Sequence, residues 1–292
     1  MKEAYERRKK EKTPVLAVCY DFDKTLSPDD MQAQGYIQSV GLPVKRFWKE
    51  ADELARKNEM DGSLAYMLKM VREAEGNLVL TRKALENYGA GVALYPGVAG
   101  WFSRLKAYGE AHGVKVEHYV ISSGLREMIE GTAPGRAGAF EKIYASSFYY
   151  NGRGVAAWPA QVINFTAKTQ FLFRISKGVL DVNDPAVNEY FKPEDIRIPF
   201  RNIVYIGDSD TDIPCMKLVR SYGGHSIGVY DPEKGNDKKV KKLMLENRIG
   251  HIAPADYRKG SPLDKLLLAI IEKTERAEAL EEMHVRDLKS AE

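Results

Sequence analysis

Residues 15–26 read VLAVCYDFDKTL, an apolar run that ends in two carboxylates, a lysine and a threonine. An apolar run of this length predicts a buried β-strand. Carboxylates at the end of such a strand are costly to bury unless a cation or a substrate compensates their charge. Ligands of open α/β sheets bind beyond the carboxyl ends of the strands. We therefore expect a functional site at Asp21 and Asp23.

Later segments place further polar residues after an apolar run or at the start of a predicted helix. Ser122 follows the run 118–121, and Asp208 follows the run 202–206. The polar residues that these segments contribute are Ser122, Lys168, Asp208 and Asp212. An isolated lysine is usually a surface residue, and a single Asp after a strand usually lies in a solvated turn. The combination and its order favour one shared site.

This order of residues resembles the haloacid dehalogenase-like hydrolases. Their motifs are an Asp-x-Asp-x-Thr after the first strand, a Ser or Thr after the second, a Lys, and a Gly-Asp-x-x-x-Asp. All of these occur here in family order, over residues 15–253. The resemblance implies an α/β fold, in which a three-layer, Rossmann-like, doubly wound and mostly parallel sheet carries a helical cap domain.

The segment between the first and second motifs reads as amphipathic helices. A helical insert at this position resembles the cap of the phosphoserine phosphatase-like branch. We therefore expect a core of residues 1–26 and 95–292 and a cap of residues 27–94. Residues 142–158 predict a hairpin, and Pro262 begins a long helix. The cap aromatics predicted to form its core are Tyr36, Phe47, Trp48 and Tyr66.

The resemblance also implies roles for the residues that match the motifs. Asp21 would be the nucleophile that takes the phosphoryl group as an aspartyl phosphate. Asp23 would protonate the departing alcohol and then activate water. Ser122 and Lys168 would hold the phosphoryl oxygens, the serine by a hydrogen bond and the lysine as a charge. These roles define a phosphoryl-transfer site.

A magnesium ion completes the set of groups that the resemblance implies. Mg²⁺ favours oxygen ligands, and these would be Asp21, the backbone carbonyl of Asp23, and Asp208. Asp212 would orient a water molecule of the metal or Lys168. Asp210 matches no required position and is left outside the ligand set. Mg²⁺ is thus the expected cofactor.

The function that follows is a Mg²⁺-dependent phosphatase acting on a small phosphate monoester. A phosphomutase or phosphotransferase shares both carboxylates of the first motif and stays open, as does a non-catalytic phosphate-binding regulatory module. Phosphoserine phosphatases typically have Asn where this chain has Thr211, and Gly-Gly after the second motif where this chain has Ser123-Gly124-Leu125-Arg126, so phosphoserine is not singled out as substrate. Arg82 and Arg126 are candidate binders of a substrate anion, against the alternative of surface ion pairs.

Composition sets the broad class. The 292 residues are 44% hydrophobic and 29% charged, with a formal net charge of +3, so we expect a globular chain rather than a disordered one. The basic residues form no long stripe, which disfavours a nucleic-acid partner. Two cysteines provide no disulfide framework. No signal peptide and no membrane span is predicted, which favours a cytoplasmic location. The oligomeric state cannot be read from the sequence.

Overall fold

The computed structural model describes residues 5–208 and 210–291. Its strands are β1 (Val15–Tyr20), β2 (Lys115–Leu125), β3 (Lys142–Tyr150), β4 (Ala156–Gln161), β5 (Ile203–Gly207), β6 (His225–Tyr230) and β7 (His251–Pro254). They form a seven-stranded sheet in the order β4-β3-β2-β1-β5-β6-β7. Neighbouring strands are parallel except for β3 and β4, the predicted hairpin, which pair antiparallel. Strands β2 to β4 lie on one side of β1, and β5 to β7 lie on the other. The strand order therefore reverses at β1, and open α/β sheets bind ligands at such a point.

Helices lie between these strands and after the last of them. They are α1 (Tyr36–Ser39), α2 (Val44–Asn58), α3 (Gly62–Ala74), α4 (Arg82–Ala90), α5 (Val98–Ala111), α6 (Arg126–Gly131), α7 (Ala133–Arg136), α8 (Thr169–Lys177), α9 (Ile213–Ser221), α10 (Lys238–Leu245) and α11 (Pro262–Ala291). The long C-terminal helix therefore begins at the predicted Pro262. No helix of the described residues is long and apolar enough to cross a membrane. Residues 1–4, which belong to the segment judged for a signal peptide, lie outside the described residues.

The two faces of β1 belong to two different apolar clusters. Leu16 and Val18 pack in a cluster that includes buried residues of α5 and α11. Ala17 and Cys19 alternate with them and pack in a second cluster, with buried residues of α8, α9 and α10. Alternate side chains of a strand point to opposite faces of its sheet. Helices therefore cover the sheet on both sides, and the predicted three-layer, mostly parallel α/β fold is confirmed.

Strand register brings the polar residues to one edge of the sheet. Tyr20 at the end of β1 is aligned with Val120 of β2 and with Ile206 of β5. Asp21, Ser122 and Asp208 are each one or two residues beyond these aligned positions. The Asp21 N–H also donates to the Ile206 carbonyl at 2.9 Å, which holds the chain against β5 after the strand ends. The shared edge is the carboxyl end of the parallel strands.

Residues 27–94 fold into the helices α1 to α4, as the sequence predicts. Of these helices, α4 packs closely on α6, which follows β2. A Cβ on Gly89 would lie 1.9 Å from the Met128 carbonyl oxygen, and a Cβ on Gly131 would lie 2.0 Å from the Glu86 carbonyl oxygen. The two helix backbones meet at these reciprocal glycines. The core and cap boundaries stay a prediction, and α4 packs directly on α6, an element of the predicted core.

We expect Gly131→Ala to destabilise the protein by about 2–3 kcal/mol, because a methyl group there must push two helix backbones apart. Gly62→Ala is the matched control. Gly62 begins α3, and a Cβ there meets nothing within 4 Å, so this variant should be neutral or slightly stabilising. Chemical denaturation of both variants measures the difference. Equal free energies of unfolding in the two variants would refute the close α4–α6 contact.

Candidate active site

The ion pair between Asp21 and Lys168 lies at the centre of the site. Lys168, just before α8, is fully buried, and its Nζ lies 3.2 Å from Asp21 Oδ1. That distance permits an ion pair, but Asp21 Oδ1 accepts no hydrogen bond from any described residue although the atom is buried. Buried polar atoms without a partner are uncommon. The structure thus brings the predicted nucleophile and the predicted phosphate-binding lysine together and leaves one carboxylate oxygen for a ligand.

Asp212 fixes the position of the lysine. Lys168 Nζ donates to Asp212 Oδ1 at 2.7 Å, and the hydroxyl of Tyr205 donates to the same oxygen at 2.8 Å. All three side chains are buried. The predicted role of Asp212 in orienting Lys168 is consistent with these bonds. Tyr205 is the contributor that motif reasoning missed, because a tyrosine inside an apolar strand gives no sign that its hydroxyl meets a carboxylate.

Asp208 joins the same acidic group. Carboxylate oxygens of Asp21, Asp208 and Asp212 lie within 4.8 Å of one another. Asp208 follows the last residue of β5, and Asp212 immediately precedes α9. Gly207 makes the close approach possible, since a Cβ there would lie 2.6 Å from the Asp212 carboxyl carbon. This close approach explains why the Gly-Asp-x-x-x-Asp motif has a glycine at its first position: a side chain there would collide with Asp212.

Asp23 sits on a tight turn directly after β1. The amides of Thr25 and Leu26 both donate to the Phe22 carbonyl, at 3.2 and 2.8 Å. Lys24 has φ 58°, the left-handed region that side-chain-bearing residues rarely adopt. The Met31 N–H donates to Asp23 Oδ1 at 2.9 Å. The chain therefore bends at Asp23, and a backbone amide fixes its carboxyl group.

Ser122 lies at the same edge of the sheet and is buried. Its Oγ accepts a hydrogen bond from the Gly124 N–H at 3.1 Å, which leaves the hydroxyl hydrogen able to donate. A cavity of about 160 Å³ is lined by Ser122 together with Asp21, Asp23 and Asp208. A phosphoryl group placed there would contact the predicted nucleophile, the predicted acid and a hydroxyl donor.

Burial and mutual repulsion raise the pKa values of the carboxyl groups. Burial first, and then the Asp212 carboxylate, raise the pKa of Asp21 to about 6, while Lys168 opposes the shift. Burial, then Asp30 and Asp21, raise the pKa of Asp23 well above its ordinary value. Burial lowers the pKa of Lys168, but Asp21 and Asp212 outweigh it and raise that pKa overall. A raised pKa favours the protonated form of a carboxyl group, which a general acid needs, and the pKa of Asp23 is shifted in this direction.

The acidic cluster fits a hard divalent cation. Burial, then Asp212 and Asp21, also raise the pKa of Asp208 well above its ordinary value. Three carboxylates are thus held close together at an energetic cost, with a single described lysine ion-paired to Asp21 and Asp212. Oxygen donors of this kind are the ligands that Mg²⁺ prefers. Asp21 and Asp208 would hold it with the Asp23 carbonyl, and Asp212, which already binds Lys168, lies beside them.

The two candidate anion-binding arginines lie elsewhere. Arg82 pairs with Glu130 at 3.2 Å and Arg126 pairs with the same carboxylate at 3.6 Å. Neither arginine lines the cavity that holds Asp21 and Ser122. The surface ion pair, which was the alternative interpretation of both residues, is the arrangement that the structure contains.

Comparison with known proteins identifies the family. The sequence profile of the haloacid dehalogenase-like hydrolases matches residues 18–217, and the chain belongs to this family. An uncharacterized protein of Borreliella burgdorferi is 30% identical over 277 residues, which cover 87% of this chain and 95% of that protein. Membership in a hydrolase family confirms the resemblance drawn from the motifs.

Solved structures support the fold. A HAD family hydrolase from Salmonella enterica serovar Typhi superposes with a TM-score of 0.55 at 15% identity, covering 89% of this chain and 73% of that one. A probable phosphoserine phosphatase from Vibrio cholerae superposes with a TM-score of 0.56 at 11% identity, covering 92% and 68%. At these identities the likeness concerns the fold.

Burial of the acidic cluster, and repulsion within it, predict that the stability of the protein depends on pH and on metal. Unfolded Asp side chains titrate near about 3.9, whereas the folded pKa of Asp21 is about 6. The native state therefore binds more protons than the unfolded state between these values, so the stability of the metal-free protein falls as the pH rises from about 4 to 6. We expect added Mg²⁺ to raise the melting temperature at pH 7.5.

Asp208→Asn removes one charge of the cluster. We expect it to raise the melting temperature of the metal-free protein at pH 7.5 by about 3 °C, roughly 1 kcal/mol for a chain of this size, and to remove most of the Mg²⁺ effect. Asp210→Asn is the matched control, because Asp210 is exposed and pairs with Lys239 at 3.2 Å. Scanning fluorimetry in EDTA and in Mg²⁺ measures both. A destabilised Asp208→Asn with a full Mg²⁺ response would contradict the assignment.

Proposed function

We propose that this protein is a Mg²⁺-dependent phosphatase that hydrolyses a small phosphate monoester through an aspartyl phosphate on Asp21. The observation that carries the proposal is the buried Lys168 held between Asp21 and Asp212, beside a carboxylate oxygen that accepts no hydrogen bond from a described residue. A buried lysine paired in this way provides fixed positive charge where a phosphoryl group would lie. Membership in the hydrolase family supports the same reaction class.

The first half of the reaction follows from the positions of Asp21 and Asp23. An Asp21 carboxylate oxygen attacks phosphorus, and the bond between phosphorus and the alcohol oxygen breaks. The departing oxygen takes the proton of Asp23, whose pKa is raised above its ordinary value by burial and then by Asp30 and Asp21. Ser122 donates its hydroxyl hydrogen to a phosphoryl oxygen, and Lys168 offsets the negative charge.

The second half reverses the proton transfer. Asp23, now a carboxylate, takes a proton from the attacking water, whose oxygen bonds to phosphorus as the bond to Asp21 breaks. Inorganic phosphate leaves and Asp21 regains its carboxylate. Bound Mg²⁺ supplies positive charge that lowers the repulsion between two anions during phosphoryl transfer. Splitting one difficult displacement into two easier ones is the advantage of a covalent intermediate.

Release of inorganic phosphate tests the proposal. We expect turnover of at least one small monoester that requires Mg²⁺ and falls by at least about 10³-fold in Asp21→Asn, because the variant lacks the nucleophile. Asp210→Asn, whose side chain is exposed, should stay within about twofold of the wild type. Full activity of Asp21→Asn would contradict the proposal.

The alternatives give different results in the same assay. A phosphomutase releases no inorganic phosphate but moves the phosphoryl group between positions of one substrate. A regulatory module binds phosphate esters and turns over none of them. Either outcome, obtained with folded protein in Mg²⁺, would replace the phosphatase assignment.

A further inference from the structure

A larger cavity adjoins the proposed reaction centre on the side of Asp23. It has a volume of about 330 Å³ and lies beneath α2 and α3. Its lining residues are Asp23, Asp30, Gln32, Trp48, Ala51, Asp52, Gly62, Ser63, Tyr66, Ser123, Gly124, Asn164 and Phe165. Asp23, Ser123 and Gly124 also line the smaller cavity that contains Asp21. Since Asp23 is the proposed donor to the departing alcohol, this larger cavity is where the alcohol part of the substrate would lie.

The lining contains polar atoms that the protein leaves unsatisfied. Gln32 Oε1, Trp48 Nε1 and Ser123 Oγ are buried and have no hydrogen-bond partner among the described residues. The Gln32 side chain is only 2% exposed. A buried polar atom that stays unpaired destabilises the protein. Of these atoms, Gln32 Oε1 and Ser123 Oγ can accept hydrogen bonds from a ligand, and Trp48 Nε1 can donate one.

The charges of the lining restrict that ligand. Asp30 and Asp52 line the cavity, and no lysine or arginine does so among the described residues. Lys24 binds Asp30 at 2.8 Å and so offsets one of these charges. Asp52 is exposed and makes no ion pair with a described residue. A substrate carboxylate in this cavity would meet carboxylates without a free cation to bind it.

Aromatic side chains add a second preference. Trp48 and Tyr66 stand edge to face, with ring centroids 5.8 Å apart. The Tyr66 hydroxyl donates to the Ser123 carbonyl at 2.8 Å, which fastens α3 over the end of β2. Phe165 is 53% exposed and has φ 38°, an unfavourable backbone conformation for a bulky residue. Aromatic faces beside carboxylates attract organic cations.

We propose, on the basis of the proposed phosphatase function, that the alcohol part of the substrate carries a protonated amine and no carboxylate. Its ammonium group would lie between Asp52 and the aromatic side chains of Trp48 and Tyr66. Its N–H groups would donate to Gln32 Oε1 and Ser123 Oγ. The substrate class is thus a phosphate monoester of an amino alcohol.

Paired substrates test this inference. Phosphoethanolamine and phosphoserine differ by one carboxylate, and ethyl phosphate lacks both charged groups. We expect kcat/KM for phosphoethanolamine to exceed that for each of the others by on the order of tenfold or more, since the carboxylate of phosphoserine would be repelled by the carboxylates of the cavity and ethyl phosphate has no ammonium group to bind there. p-Nitrophenyl phosphate reports on the reaction centre itself. A preference for phosphoserine, or for a nucleoside 5′-monophosphate, would overturn the inference.

Substitutions in α2 test whether Asp52 causes the preference for phosphoethanolamine over phosphoserine. Asp52→Asn should reduce the ratio of kcat/KM for phosphoethanolamine to that for phosphoserine by about fivefold, the change for roughly 1 kcal/mol, and Asp52→Arg should reduce it further. Glu53→Gln is the matched control, because Glu53 is on the same helix, pairs with Lys49 at 3.8 Å and does not line the cavity. The ratio should not change in this control. An unchanged ratio in Asp52→Arg would overturn the inference.

The two proposals fail in distinguishable ways. If Asp21-dependent hydrolysis of p-nitrophenyl phosphate occurs but phosphoethanolamine is not preferred, the phosphatase function stands and the amino-alcohol inference is wrong. If no monoester is hydrolysed in Mg²⁺, the phosphatase function itself is wrong, and the inference that rests on it is overturned with it.

Discussion

One buried ammonium group holds the site together. Lys168 is fully enclosed, and its charge is compensated by Asp21 on one side and Asp212 on the other. A buried ion pair of this kind returns its desolvation cost only with good geometry and further hydrogen bonds. The Tyr205 hydroxyl provides one such bond to Asp212. Removing the lysine would leave adjacent buried carboxylates uncompensated, so the arrangement of the acidic cluster depends on it.

The sheet makes this contact possible. The site residues are far apart in the chain, and they meet because parallel strands end at a common edge. The pairing of β1 with both β2 and β5 sets the register, so that Asp21 and Asp208, which follow β1 and β5, lie beside Ser122 near the carboxyl end of β2. Lys168 reaches this edge from the start of α8, and Asp212 from the start of α9. The same topology places α2 and α3 above the edge, where they close a cavity next to Asp23.

Much of this arrangement could be predicted from the sequence, and there are physical reasons why the other features could not. The motif residues can be predicted because carboxylates that follow apolar strands, combined with a lysine at a fixed place in their order, indicate one shared site. Tyr205 was missed because its hydroxyl contact depends on how β5 meets α9. The sequence predicts that Trp48 and Tyr66 belong to the core of the cap, and in the structure they also line the larger cavity. The glycine contact between α4 and α6 joins segments whose packing the sequence does not reveal.

A burst experiment with Asp23→Asn tests the central claim most directly. p-Nitrophenolate leaves without protonation, so this variant should still transfer the phosphoryl group to Asp21, while the loss of the base slows attack by water. We predict a rapid burst of one p-nitrophenolate per active site, followed by slow turnover, with the phosphoryl group found on Asp21 by mass spectrometry. Absence of a burst, or phosphate on another residue, would contradict the proposed aspartyl phosphate.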